Sequence, residues 1–599
     1  MKKMNLIALA LATILLCSCM VPGDNTVGTT SSGTDTTVPD TTTTAASVSG
    51  VTLSTDYAVV RPEGAGQNVK DALIAIRVAM TDIGIKPDVK TDWLNPRKNE
   101  QPGELEILVG ATNRPESQAA LAELSSKYDY TVRVVGSKVV VVGGCDTATL
   151  RAAEYFVDLI KSLKDAHLEA DLCYNGRCTE ADLIVHLDGE TDCTFTTLYE
   201  GVTSTHYSLS ADSKYGQQDI TIVEFDPKQN NLYFDVTMGG SYATTLKTVE
   251  NTVKTFNENN GQGKTAIAAV NGDLWMVTYA HARVLGKGTS YRDCSDPVVK
   301  KSMNIPRGFD MYDGEIITSA HMTQETPYEG DFYSFGITDD GEAVLGNPQV
   351  GIKIVNKTSD ITTSANGLNR LPANNALVMY TDKLSANNAL DDAHQVIIDC
   401  GYDYVVRHGE TITGKVMAVI KSGEAVDAEL KQNRIVLTAR GNKIDSIKDF
   451  KVGDSIEISI TVTDKMGNSA VWQKMRNAVG GHLPIVINGR STGLTDQNRY
   501  PMTILGTKQN GNVVMITYDG RQTGYAVGLK NSDAAMLCEE LGINNAFFVD
   551  GGGSASMVQL INGEYKLVNR PSDKKSDGSY GQARTVVNTV ILSVGPKRS

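Results

Sequence analysis

The sequence predicts an α+β protein, with a small N-terminal α+β domain followed by a larger mixed α/β domain that has a mainly antiparallel β core. Its 599 residues, of which 41% are hydrophobic and 21% charged, are enough to bury at least two cores. Apolar residues recur at helical spacing in the first part, whereas the second part has short strand-like runs between Gly and Asx turns. The predicted segments are a signal peptide at 1–18, a linker at 19–50, an accessory domain at 51–171 and the larger domain at 183–599.

The N-terminus has the pattern of an export signal. Two lysines precede an apolar run at 6–16, which is too short to span a bilayer but suits the core of a signal peptide. The run ends in Leu-Cys-Ser-Cys19, which resembles the lipobox of bacterial lipoproteins and implies diacylation of Cys19. An ordinary cleaved signal peptide is the alternative. We therefore expect an extracytoplasmic protein, held at the cell membrane or cell surface by lipid on Cys19.

Composition restricts the class of partner. Residues 21–49 are nearly all Thr, Ser, Gly, Asp and Pro, so they cannot bury enough apolar surface to fold and are predicted to form a solvated linker. The formal charge of -14 argues against nucleic acid as a partner, because phosphate backbones are bound by basic surfaces. The sequence does not predict an oligomeric state.

The first folded part has clear local patterns. It predicts helices at 68–83 and 149–163, a strand at 104–110 and a hairpin of 130–135 with 138–142. The predicted buried residues of the first helix include Ala72, Ile74, Val78 and Met80. The segment resembles the small α+β domain often found ahead of the catalytic domain in extracellular glycosidases. The resemblance implies a carbohydrate-associated accessory module, and a structural spacer is the alternative.

Cysteines give little further information. Cys173 and Cys178 bracket an Asn-Gly dipeptide that is typical of a turn, so they are predicted to form a small disulfide or to remain free thiols. A zinc site is the rival interpretation, but no His or Cys partner lies nearby at metal-ligand spacing.

The second part combines few helices with strands that end in similar turns. Helices are predicted at 242–257 and 532–541, with Gly542 as the residue after the second. Strand-like runs at 265–270, 512–518 and 546–549 each end in Asn-Gly or Asp-Gly, and any one of these is an ordinary turn dipeptide.

The third strand-like run continues into Asp550, three glycines and Ser554. Three consecutive glycines carry a large entropic cost, which indicates that bare backbone is required there. Successive amides of this kind can hold an anion, although a tight strand-to-helix turn is the alternative.

Several sequence blocks resemble the phosphodiester glycosidase family, whose animal member removes N-acetylglucosamine from a phosphodiester on mannose. The resemblance spans residues from about 201 to 595. The blocks are Val270-Asn-Gly-Asp-Leu-Trp275, Pro306-Arg-Gly-Phe309, Asn477-Ala-Val-Gly-Gly481, Tyr518-Asp-Gly-Arg521, Phe548-Val-Asp-Gly-Gly-Gly-Ser-Ala-Ser-Met557, Val568-Asn-Arg-Pro-Ser572 and Arg584-Thr-Val-Val-Asn588.

The resemblance implies a set of site residues in two groups. The candidate catalytic carboxylates are Asp550, Asp519 and Asp273. The candidate substrate-binding residues are Asn271, Arg307, Gly481, Arg521, Gly551, Gly552, Gly553, Ser554, Arg570, Arg584 and Asn588.

Two departures from the family pattern matter. Bacterial members usually have an Arg after the Pro of the segment at 500–506, where this chain has Met502. Arg499 is the candidate substitute three residues earlier. The chain also has Asp273 where members often have a third Gly, although Asp is familiar there too.

The residue types suit hydrolysis of a sugar-1-phosphodiester bond. Arg is the side chain that neutralises phosphate in a bidentate manner, and a carboxylate serves as base or nucleophile. The predicted partner is a carbohydrate or phosphoglycan. No cofactor is expected, and a calcium requirement is left open. His281, His321 and His482 are weaker candidates, and His482 is predicted to be a plain loop residue.

Two other functions remain open. One is a glycan-binding surface lipoprotein without catalytic activity, and the other is a factor in exopolysaccharide assembly or modification.

Overall fold

A computed structural model describes residues 50–163, 165–179, 184–275, 304–320, 332–370, 375–385, 387–388, 393–424 and 428–598. Cys19, His281 and His321 therefore lie outside the described residues. Among the helices within these ranges, none has the length and apolar character needed to cross a membrane.

The N-terminal part is built on a six-stranded sheet in the order β3-β2-β4-β6-β5-β8. Its helices are α1 Gln67–Asp82, α2 Pro115–Ala122 and α3 Asp146–Ser162. Its strands, with the separate pair β1-β7, are β1 Val51–Thr52, β2 Ala58–Arg61, β3 Asp88–Thr91, β4 Glu106–Val109, β5 Asp129–Val135, β6 Lys138–Gly143, β7 His167–Leu168 and β8 Cys173–Arg177.

The predicted elements of this part are confirmed. β5 and β6 form the predicted hairpin, with Val135 opposite Lys138. β2 runs parallel to β3 and β4, and β4 runs parallel to β6, so this sheet is mixed. α1 and α3 pack against each other and bury an apolar cluster against the sheet.

The predicted buried face of α1 is half wrong. Ala72 and Met80 are buried as predicted, but Ile74 and Val78 are 53% and 52% exposed. The buried stripe instead runs through Val69, Ala72, Leu73, Ile76, Ala79 and Met80. Ile74 and Val78 are four residues apart and therefore share a face, and that face points away from the sheet.

The predicted turn between Cys173 and Cys178 is also wrong. Residues of this segment form the extended strand β8, in which Gly176 lies opposite Tyr130 of β5. Extended backbone separates the two cysteines, and they do not form a disulfide with each other. The pairing of β8 with β5 overrides the turn preference of Asn-Gly. Glycine is needed at position 176 because a Cβ there would lie 2.3 Å from the Tyr130 ring.

The larger part contains the remaining elements. Its helices are α4 Val249–Asn259, α5 Ser469–Trp472 and α6 Asn531–Glu540. Its strands are β9 Glu190–Tyr199, β10 Val202–Leu209, β11 Gln218–Phe225, β12 Leu232–Met238, β13 Thr265–Asn271, β14 Asp310–Tyr312, β15 Glu315–Thr318, β16 Ser334–Thr338, β17 Ala343–Gly346, β18 Pro348–Asn356, β19 Ile361–Ala365, β20 Gly367–Leu368, β21 Leu377–Tyr380, β22 Asn387–Asn388, β23 His394–Asp399, β24 Thr411–Ile420, β25 Ala428–Glu429, β26 Arg434–Ala439, β27 Ser455–Asp464, β28 Met475–Gly480, β29 Pro484–Ile487, β30 Arg490–Ser491, β31 Met502–Lys508, β32 Val513–Tyr518, β33 Ile543–Gly551, β34 Met557–Ile561, β35 Glu564–Leu567 and β36 Asn588–Val594.

In the described residues these strands form two eight-stranded sheets, two five-stranded sheets and the separate pair β22-β25. The eight-stranded sheets have the orders β30-β29-β33-β31-β32-β11-β10-β9 and β19-β18-β27-β24-β23-β26-β21-β20. The five-stranded sheets have the orders β12-β36-β13-β34-β35 and β15-β14-β28-β16-β17. Pairing is antiparallel apart from β20 with β21 in the part of the chain that the structure describes. The predicted α+β class with a mainly antiparallel core is therefore confirmed.

The two predicted helices of the larger part differ in accuracy. α6 lies within one residue of its prediction, and Gly542 follows it with a φ of +68°. α4 begins seven residues later than predicted, at Val249, because the Thr248 side chain accepts a hydrogen bond from the Asn251 amide and caps the helix there.

The exposure difference on α1 predicts different costs for the same substitution. Ile76 is fully buried, so Ile76→Ala should lower the free energy of unfolding by about 2–5 kcal/mol. Ile74→Ala should change it by no more than about 0.5 kcal/mol, because Ile74 is mainly in solvent. Denaturant unfolding of both variants measures this, and equal losses would show that the structure has misplaced the face of α1.

Candidate active site

The candidate site lies where strands from three sheets end close together. β13 and β36 belong to one five-stranded sheet, β14 and β28 to the other, and β33 to an eight-stranded sheet. β13 ends at Asn271, β28 at Gly480 and β33 at Gly551, while β14 begins at Asp310 and β36 at Asn588. The blocks that resemble the family are thus brought together from distant parts of the chain.

Asn271 fastens the loop that contains the three glycines. Its Nδ2 donates to the carbonyl of Asp550 at 2.8 Å, and its Oδ1 accepts from the Ser556 amide at 3.1 Å and from Thr503 Oγ1 at 2.7 Å. Asn271 is fully buried, so it supports the loop from the interior of the protein. These contacts give Asn271 a structural role, and its part in substrate binding stays a prediction.

Asp550 is a half-buried acidic residue of the site. Its backbone amide donates to the Gly272 carbonyl at 2.9 Å, which fixes the residue at the end of β33. Burial raises the pKa of Asp550 to about 6, although the Ser554 hydroxyl, the Gly551 amide, Arg584 and Arg307 each lower it. Ser554 Oγ is buried and has no partner with hydrogen-bond geometry among the described residues. A carboxyl with such a pKa can exchange a proton near neutral pH.

The three glycines allow close contacts that other residues would block. A Cβ on Gly551 would lie 2.0 Å from Met502 Sδ, and one on Gly553 would lie 2.2 Å from Asp573 Oδ1. Gly552 has a φ of +64°, which is the left-handed region that favours glycine. The requirement for bare backbone that the sequence indicates is met at each position.

Two arginines lie close enough to Asp550 for their charges to lower the pKa of its carboxyl. Arg584 donates from Nε and Nη2 to the two carboxylate oxygens of Asp573, each at 2.8 Å, and both side chains remain partly exposed. Arg307 is nearly buried, and its guanidinium carbon lies 6.0 Å from the centre of the Phe332 ring. Both guanidinium groups lower the pKa of the Asp550 carboxyl.

Asp273 and Asn588 do not face the exposed side of the site. Both are fully buried. The Asp273 amide donates to Asn588 Oδ1 at 2.8 Å, and Asp273 Oδ2 accepts from the Gly308 amide at 2.6 Å. Asn588 Nδ2 donates to Asp310 Oδ1 at 3.0 Å and to the Tyr312 hydroxyl at 3.1 Å. The catalytic role of Asp273 and the substrate-binding role of Asn588 stay predictions.

Asp519 holds a neighbouring loop. Its Oδ1 accepts from Asn569 Nδ2 at 2.9 Å, and its Oδ2 accepts from the Arg570 amide at 2.7 Å and from the Tyr525 hydroxyl at 3.0 Å. Burial raises the pKa of Asp519 to about 7. Both carboxylate oxygens of Asp519 thus have partners within the protein, and its catalytic role stays a prediction.

Arg570 is also engaged in this loop. Its guanidinium carbon lies 3.4 Å from the centre of the Tyr525 ring, and its Nε donates to Gln522 Oε1 at 2.6 Å. These contacts hold the side chain against Tyr525 and Gln522, and the contact of Arg570 with phosphate stays a prediction.

The structure settles the question of the substitute for the family arginine. Arg499 donates to the carbonyls of Tyr215 and Gly528 and pairs with Asp533. It therefore does not replace the arginine that bacterial family members usually have where this chain has Met502. Arg521 is exposed, and its Nη1 lies 3.2 Å from the position of a Cβ on Gly552. Arg521 is therefore the additional cation beside the glycine loop.

Gly481 and His482 directly follow the end of β28. A Cβ on Gly481 would lie 2.4 Å from the Phe547 ring, so packing requires glycine here, and its contact with substrate stays a prediction. The His482 amide donates to the Phe548 carbonyl at 2.7 Å. Burial and the charge of Arg307 lower the pKa of His482, which shows that this loop residue is close to Arg307.

Three residues of this region were not predicted from the sequence. Asp310 directly follows the Pro-Arg-Gly-Phe block, and an extension of that block by one residue would have included it. Arg370 is fully buried among backbone carbonyls, and no local pattern marks it. Asp573 lies just after the Asn-Arg-Pro-Ser block, but only the fold reveals its pairing with Arg584.

No group of three or more His, Cys, Asp or Glu side chains that could hold a metal ion is present within the described ranges.

Comparisons with solved structures give three distant similarities. A hypothetical protein from Synechocystis is 17% identical with a TM-score of 0.49, and the match covers 67% of this chain and 64% of that protein. A protein from Burkholderia pseudomallei is 17% identical with a TM-score of 0.46, covering 65% and 77%. The third similarity is to the catalytic domain of zebrafish N-acetylglucosamine-1-phosphodiester alpha-N-acetylglucosaminidase, auto-inhibited by its pro-peptide. It is 12% identical with a TM-score of 0.31, covering 68% and 88%.

The family comparison is more specific. No curated protein sequence matches the chain. The part of this chain that matches the family model includes Asp550, Arg584 and the glycine loop, whereas Asn271 and Arg307 lie outside it. Residues 402–593 match the phosphodiester glycosidase family, and the resemblance predicted from the sequence blocks is thereby confirmed for this region.

Proposed function

We propose that this protein hydrolyses a sugar-1-phosphodiester, such as an N-acetylglucosamine phosphodiester, in an extracytoplasmic glycan. The observation that carries the proposal is the position of Asp550. Asp550 is half-buried, its carboxyl has a pKa of about 6, and the charges of Arg307 and Arg584 lower that pKa beside a loop of three glycines.

The reaction breaks the bond between C1 of the sugar and the bridging oxygen. Water supplies the hydroxyl of the released sugar, and the phosphate leaves as a monoester. Asp550 either takes the proton of the attacking water or attacks C1 itself, and the contacts are consistent with both. A phosphate monoester leaves readily, so a second carboxylic acid is needed less than in ordinary glycoside cleavage.

The arginines supply recognition of the phosphate. A bidentate guanidinium matches two phosphate oxygens as it matches the two carboxylate oxygens of Asp573. We propose that substrate phosphate binds between Arg307 and Arg584, with Arg521 as the outer cation beside Gly552.

The location and organisation of the protein are part of the same proposal. The export signal and the Cys19 pattern support an extracytoplasmic lipoprotein, and the polar composition of residues 21–49 supports a linker to its folded part. We propose that residues 51–171 form an accessory domain and residues 183–599 the hydrolase domain.

One observation favours a second candidate, a glycan-binding lipoprotein without activity. Met502 packs its sulfur against Gly551 at the position where bacterial members of the family usually have Arg. A neutral thioether cannot neutralise phosphate, so the site has one cation fewer than that pattern provides.

The deciding assay uses the purified full-length protein with an N-acetylglucosamine-1-phosphodiester. We expect release of free sugar above the rate in buffer. Tight binding of the phosphodiester without any release would contradict the hydrolase proposal and support the glycan-binding alternative.

Asp550→Asn tests the catalytic carboxylate. The substitution keeps size and polarity but removes the charge, so turnover should fall by about 10²–10⁴-fold. The fold should persist, because Asn is also suited to such a turn. Asp212→Asn is the control, since Asp212 is exposed on a turn remote in sequence from the site blocks. Near wild-type turnover by Asp550→Asn would show that Asp550 is structural.

The pH dependence of kcat/KM provides an independent test. Asp550 must be ionised to act as base or nucleophile, so kcat/KM should rise with pH through about 6, the pKa of this carboxyl. A rate that falls as the pH rises through this value would instead require a protonated acid at the site.

A further inference from the structure

A buried group of charges lies behind the exposed part of the site. Asp273, Asp310 and Arg370 are all fully buried, and we call them the buried cluster. Asn588 bridges the two acids, because its Oδ1 accepts from the Asp273 amide and its Nδ2 donates to Asp310 Oδ1. Buried charges are costly unless each is paired or neutralised, so each carboxylate oxygen should have a hydrogen-bond donor or carry a proton.

The carboxylate oxygens of Asp273 and Asp310 differ in the hydrogen bonds that they accept. Asp310 Oδ1 accepts from the Gly480 amide at 2.9 Å and from Asn588, and Asp310 Oδ2 accepts from Thr318 Oγ1 at 3.3 Å. Asp273 Oδ2 accepts from the Gly308 amide at 2.6 Å. Asp273 Oδ1 is buried and accepts no hydrogen bond from any described residue. It is the one carboxylate oxygen of this pair left for a proton.

The buried cluster holds the backbone on both sides of Arg307. Arg370 Nη1 donates to the Pro306 carbonyl, and its Nη2 donates to the Gly308 carbonyl. The Gly308 amide is held by Asp273, and the Arg307 amide donates to the Leu274 carbonyl at 2.9 Å. The direction in which Arg307 leaves the backbone therefore depends on these contacts.

We propose that Asp273 is a positioning residue that carries a proton on Oδ1 at neutral pH, and that the buried cluster acts by holding Arg307 in the site. Asp310 is then the ionised partner of Arg370. The role of Arg307 in phosphate binding rests on the proposed function, but the proton on Asp273 does not.

The surrounding charges agree with a proton on Asp273. Burial raises the pKa of Asp273 well above its ordinary value, and the charge of Asp310 raises it further, while the Gly308 amide, Arg370 and Arg307 lower it. Burial raises the pKa of Asp310 to about 7 against the lowering effects of the Gly480 amide, Arg370, Thr318 and Asn588.

Tyr312 is a further titratable group beside the buried cluster among the described residues, and burial keeps it protonated by raising its pKa. Two coupled acids of this kind titrate as a pair.

The first arm of the test measures stability and needs no turnover. A folded state that holds an extra proton on Asp273 loses stability as the pH rises from about 4, the ordinary Asp pKa, to the raised pKa of Asp273. Over that range the unfolding equilibrium constant of the wild type should rise by up to tenfold per pH unit relative to that of Asp273→Asn. Asp212→Asn is the matched control and should keep the wild-type slope. Equal slopes for the wild type and Asp273→Asn would overturn the proposal.

The second arm is a double-mutant cycle on kcat/KM with the phosphodiester substrate. Asp273→Ala removes the acceptor of the Gly308 amide and should cost on the order of 10²-fold through misplacement of Arg307. Asp273→Asn keeps an acceptor and should recover much of that loss.

The double variant of Asp273→Ala with Arg307→Ala should lose no more than Arg307→Ala alone, because Asp273 acts through Arg307. Losses that multiply would show that Asp273 acts on the substrate independently. If the wild type shows no turnover, the proposed function fails, whereas the stability arm still decides the protonation of Asp273.

Discussion

Gly308 and Gly480 pass each other with their backbones in direct contact. A Cβ on Gly308 would lie 2.4 Å from Gly480 Cα, and a Cβ on Gly480 would lie 2.6 Å from Asp273 Oδ2. Arg307 precedes one glycine, and His482 follows the other by two residues. Any side chain at this crossing would push the two segments apart and move Asp273 from the Gly308 amide. The placement of Arg307 thus depends on close backbone approach that only glycine allows.

Two asparagines connect this crossing to the rest of the molecule. Asn271 joins β13 to the loop after β33, and Asn588 joins the start of β36 to both buried acids. An amide both donates and accepts without carrying charge, so it can connect buried elements without the cost of an unpaired ion. The loss of either amide would leave buried donors and acceptors unsatisfied, at about 1–3 kcal/mol each.

Much of this architecture could be predicted from local sequence, and the failures share one cause. The strand ends, the hairpin of β5 with β6 and the position of Gly542 depend on residues close in sequence, and these predictions are confirmed. The roles of Asp273 and Asp519 depend on partners far along the chain, such as Asn588 and Asn569, which local patterns do not reveal. The exposed face of α1 was missed because apolar spacing identifies two faces there, and only packing on the sheet selects one.

The account as a whole claims that the site recognises phosphate through its arginines. The most direct test compares kcat/KM for an N-acetylglucosamine-1-phosphodiester with kcat/KM for a neutral glycoside of the same sugar. A site whose cations and buried amides are arranged for a phosphate should reject the neutral analogue on the order of 10⁴-fold, because the arginines would be left without their partner. Comparable values for the two substrates would contradict the claim that phosphate binding by Arg307 and Arg584 determines what this protein cleaves.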